Sequence, residues 1–81
     1  MKYHKFADKL ERDIYGDKKR QSTVLRMMNT VANRHYLTLT LPDWEDGDRA
    51  SQIADVYASL LERLPAREQV KFSDKIWNKF S

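Results

Sequence analysis

His4 and His35 are the two histidines of this 81-residue chain, and a metal centre or an imidazole base would have to be built on them. They fall in different segments, neither has a second histidine four residues away, and the chain contains no cysteine. No metal-ligand spacing can therefore be written. Ser22, Thr23, Ser51, Ser59 and Ser73 carry hydroxyls, but none sits in a nucleophile elbow, and Gly16 and Gly47 cannot make a phosphate-cradling loop. Carboxylates are plentiful, yet an acid/base pair requires two of them to converge in a pocket, which no spacing here imposes. The expectation is a protein that is not an enzyme, with no metal and no cofactor.

Two constellations could instead bind a macromolecule. The first is acidic: Asp43, Glu45, Asp46 and Asp48 surround Trp44 and Gly47. A calcium loop does not fit, because aligning Gly47 with the invariant glycine puts Pro42 where the first ligand belongs. Carboxylates at this point can cap the helix that follows, which leaves Trp44 as an aromatic anchor of the type that dominates protein interfaces. The second constellation is basic. Lys18, Lys19 and Arg20 form a knot beside Tyr15, and Arg26, Asn33 and Arg34 extend it along one helical face, a set suited to phosphate and base-edge contacts.

The charge distribution separates the two. Residues 1–36 hold nine Lys or Arg against four Asp or Glu, residues 37–69 three against seven, and residues 70–81 three against one. Such asymmetry can orient a molecule on a charged partner. The net charge is +3, modest for a nucleic-acid binder, and the acidic middle would repel phosphate if it lay on the same side.

The elements that position these residues are mainly helical. Tyr3, Phe6, Ala7, Leu10 and Ile14 recur at steps of three and four, and Gly16 ends that segment. Asp17, or Ser22, can cap a second helix with the stripe Val24, Met27, Met28, Val31 and Ala32. Ala50, Ile53, Ala54, Tyr57, Leu60, Leu61 and Leu64 form the longest stripe, so the third helix should be central to the core. Pro65 breaks it and can open a last helix, with Val70, Ser73, Ile76, Trp77 and Phe80 on one side and Lys71, Lys75 and Lys79 on another. Between helices two and three, Tyr36 to Leu41 alternates like a half-buried strand. Its open backbone groups must pair across a homodimer, with a partner protein or with the run 69–73, unless the segment is an extended linker.

The fold class expected is therefore mainly α: a single small domain over 1–81, a bundle of about four helical segments with one short β-element near residues 36–41. A chain of this length buries only about 60–65% of the surface its unfolded form exposes, so an enclosed active site is not expected. Absent cysteine and the lack of a run of ~20 apolar residues favour a cytoplasmic, unprocessed protein without a membrane segment. The functional expectation is a small regulator or inhibitor, of the kind found in bacteria and phages, that binds a protein partner through Trp44, Asp43, Glu45 and Asp46 and the strand edge Tyr36, Thr38 and Thr40. The alternative is a nucleic-acid-binding regulator that uses Lys18, Lys19, Arg20, Arg26, Asn33 and Arg34, either as a monomer or as a homodimer joined through residues 36–41.

Overall fold

The structure is a computed structural model and describes residues 4–39 and 49–80. These form four α-helices: α1 (His4–Ile14), α2 (Lys18–Arg34), α3 (Arg49–Arg63) and α4 (Ala66–Phe80). The stripe on α3 is the centre of the core. Ala50, Ile53, Ala54, Tyr57, Ala58, Leu60 and Leu61 are all buried, and they pack against Ala7, Leu10 and Ile14 of α1, Val24, Met28, Val31 and Ala32 of α2, and Phe72 and Ile76 of α4. The α1 contact is the most extensive. On the α4 side, Phe72 meets Tyr57 edge-on with ring centroids 5.8 Å apart. The Tyr57 hydroxyl shares a buried hydrogen bond of 2.8 Å with Ser73 Oγ, so neither polar group is stranded in the core.

Both tight corners are closed by the same device. The last carbonyls of a helix have no partner within it. After α1 the chain turns at Gly16, whose φ of +70° suits a residue without Cβ. Asp17 then caps α2, with its side chain accepting from the Arg20 amide at 3.0 Å. The Arg20 guanidinium donates back to the Asp13 carbonyl at 3.1 Å, and the buried Gln21 side chain donates through Nε2 to the Ile14 carbonyl at 3.0 Å. After α3, Pro65 lends its carbonyl to the amides of Glu68 and Gln69, and the Gln69 side chain donates to the Leu64 carbonyl at 2.9 Å. Pro65 thus stands just before α4 and not at its first helical position.

Two expectations require correction. Val70 is 63% exposed while Phe72 is 3% exposed, so the buried face of α4 is Phe72, Ser73 and Ile76. The apolar residues of this helix spread over a wide arc with Val70 and Phe72 at its two edges, and the position of α3 selects the face. The β-element is also absent from the described residues. α2 ends in a Schellman motif, in which the Leu37 amide bonds the Ala32 carbonyl at 2.8 Å and the Tyr36 amide bonds Asn33 at 3.2 Å. Tyr36 consequently has φ +57°, which no strand residue adopts. Leu37 and Leu39 still pack on the core while Tyr36 and Thr38 are exposed, so the alternation is real but belongs to an extended connection. The Thr38 carbonyl accepts from Arg63 at 2.7 Å, which ties that connection to the end of α3. Residues 40 and 41 lie outside the described residues, as do the proposed α3 caps Asp46 and Asp48.

Two stability measurements follow from these contacts. Asp17→Ala should lower unfolding free energy by about 1 kcal/mol in a denaturant titration, because the cap is lost. Burial pushes the Tyr57 phenol above its ordinary value, with the Ser73 hydrogen bond opposing the shift and the Asp74 carboxylate adding to it. Its contribution to stability is complete below the unfolded value of about 10 and disappears as pH rises through the higher folded value, since the unfolded phenol ionises first. Tyr57→Phe should flatten that alkaline fall while costing about 1 kcal/mol at neutral pH, where Ser73 loses its partner; denaturation across pH 8 to 11, roughly the span around that value, compares the two.

Candidate nucleic-acid interface

The net positive charge of the helices lies on α2 and α4. α2 carries Lys18, Lys19, Arg20, Arg26 and Arg34 with no acid, and α4 carries Arg67, Lys71, Lys75 and Lys79 against Glu68 and Asp74, whereas α1 and α3 are balanced. Side chains of these two helices meet near both ends, in an antiparallel sense. At one end His35 Nε2 lies 3.8 Å from Glu68 Oε2; at the other the Arg20 guanidinium stacks 5.0 Å from the Phe80 ring. The seam between them is defined by these two meeting points, which are about 22 Å apart along α2 at 1.5 Å per residue.

Each end of the seam opens into a hollow. The first, of about 290 Å³, is lined by Val31, Arg34 and His35 of α2 and Glu68, Lys71, Phe72 and Lys75 of α4. Glu68 is the one acid in that lining, and it is 4.0 Å from Lys71 as well as facing His35. His35 Nε2 is buried and makes no hydrogen bond. The second hollow, shallower and of about 390 Å³, is lined by Asp17, Lys19, Arg20, Thr23, Lys79 and Phe80. Arg20 is occupied there by Asp17, Asp13 and Phe80. The outward charge at this end comes from Lys19 and Lys79, both exposed.

The basic residues singled out from the sequence divide accordingly. Lys19, Arg20 and Arg34 meet α4 along the seam. At about 100° per residue, Arg26 and Asn33 fall on the outward side of α2, and Lys18 on the side away from α4; all three are exposed. Thr23 and Thr30 donate their hydroxyls to the Lys19 and Arg26 carbonyls at 3.0 Å, which removes them as phosphate donors. Lys71, Lys75 and Lys79 were legible as a stripe at i, i+4 spacing, but nothing in the sequence aimed that stripe at α2. Of the acidic constellation, Asp43, Trp44, Glu45 and Asp46 lie outside the described residues, as does Thr40. Tyr36 and Thr38 are exposed, Tyr36 to 96%.

Among the described residues no group of three or more His, Asp or Glu could hold a metal ion, and no helix is long and apolar enough to cross a membrane. Compared with protein-family models, with curated proteins and with solved structures, the chain matches none. The chemistry available at the seam is electrostatic: cations on two parallel rails, spaced about 6 Å apart along α4, with hydrophobic side chains at the floor. Such an arrangement can track a polyanion.

Proposed function

We propose that this protein is a small non-enzymatic regulator that binds nucleic acid along the seam between α2 and α4. The reading rests on one observation: the two basic helices meet near both ends, where Arg34, Lys71 and Lys75 line one hollow and Lys19 and Lys79 line the other. A modest net charge of +3 is no obstacle once the positive charge is concentrated on one side. Neutralising several phosphates releases their counterions, so binding should weaken steeply with salt. A protein partner held by Trp44, Asp43, Glu45 and Asp46 is the other reading, and its residues are separate in sequence from both rails.

Arg34→Glu combined with Lys71→Glu should reduce retention on a mixed nucleic-acid resin at least tenfold. It should also flatten the slope of log affinity against log salt by about two, one for each lost phosphate contact. Both side chains are exposed, so circular dichroism should not change. Unaltered retention in the double variant would overturn the seam as the interface. Retention of a stoichiometric protein from nuclease-treated lysate, with no binding of nucleic acid, would return the function to a protein partner.

A further inference from the structure

Tyr36 is out of place by the usual rules of helix termination. It occupies the C′ position of α2 with φ +57°, where glycine is favoured because a Cβ crowds the backbone. A bulky residue there is uncommon. Its side chain gives nothing back in packing, being 96% exposed. Strain without compensating burial is a pointer towards use at the surface.

The surroundings say what that use is. Tyr36 follows directly on Arg34 and His35, which line the hollow shared with Lys71 and Lys75. At the far end of the seam Phe80 stands in the hollow with Lys19 and Lys79, and Tyr15, 70% exposed, precedes α2. An exposed tyrosine thus lies close in the chain to each end of α2, where the cations gather. A duplex presents those cations with phosphates and keeps its bases stacked on one another; only an unpaired base offers a face to a tyrosine ring. Resting on the reading of the seam as a nucleic-acid interface, we infer that its ligand is single-stranded and that Tyr36 is the platform on which one unpaired base stacks. The adjacent cations Arg34, Lys71 and Lys75 hold the phosphates next to that base. Tyr36 therefore discriminates single strand from duplex, while the lysines and Arg34 supply affinity for either.

The test is fluorescence anisotropy on the full chain with a labelled oligonucleotide of about 12 nucleotides, single-stranded and as the blunt duplex, at several salt concentrations. The wild type should bind the single strand more tightly. Tyr36→Gly should lose about tenfold or more on the single strand, leave duplex binding and the salt slope unchanged, and hold or raise the thermal midpoint because the backbone strain is relieved. Tyr36→Phe, which keeps the ring, should retain the preference. Equal salt-dependent binding of both ligands, or an unaffected Tyr36→Gly, would overturn the stacking role while leaving the seam in place. Absence of salt-dependent binding to either ligand in the wild type would overturn the seam reading and the stacking role together.

Discussion

The burial of α3 is the constraint on which the rest of the molecule depends. Seven of its residues are shielded from solvent, including the full side chains of Tyr57, Leu60 and Leu61, and one neighbouring helix cannot cover so wide an apolar surface. Truncating any one of the large ones would cost about 2–5 kcal/mol, a large share of what a domain this small possesses. α1, α2 and α4 must all pack around it. Because the connections after α1 and α3 are only a few residues long, each turns the chain at a tight corner, and the helices that follow have little freedom in where they start.

This packing has an electrostatic consequence. α2 and α4 each turn an apolar face inward, and each is left with lysines and arginines on what remains. Once both faces are satisfied against α3, the two charged edges meet along a seam. Like charge on adjacent helices is unfavourable by itself, and Glu68 between His35 and Lys71, with Asp17 beside Arg20, moderates it. The residual positive surface is then a property of the assembled bundle. A polyanion would neutralise it without any rearrangement of the core.

The polar groups that the bundle buries have local jobs. Gln21 and Gln69 each reach back to a terminal carbonyl of the preceding helix, and Tyr57 and Ser73 satisfy each other inside the core. Arg63 fixes the extended connection by holding the Thr38 carbonyl. These contacts explain how a chain without disulfides makes tight corners. Tyr36 is the exception: its strained backbone is explained by the Schellman bonds around it, but the choice of tyrosine there is not explained by the fold.

The sequence by itself determined the four helices, the centrality of α3, the Gly16–Asp17 corner and the break at Pro65, because periodicity, capping chemistry and the special backbone of glycine and proline act over a few residues. It also determined that Leu37 and Leu39 face inward while Tyr36 and Thr38 do not. What it could not settle was the backbone that produces this alternation, since a strand and an extended tail after a Schellman cap read alike at period two. The buried face of α4 was equally open: Val70 and Phe72 are similar in hydrophobicity, and only the position of α3 chose between them. Lysines 71, 75 and 79 were visible as a row, and Lys19 and Arg34 as another. Their meeting is a fact of tertiary structure, because which helix lies beside which is fixed by the shape of the shared core and not by any property of either helix alone.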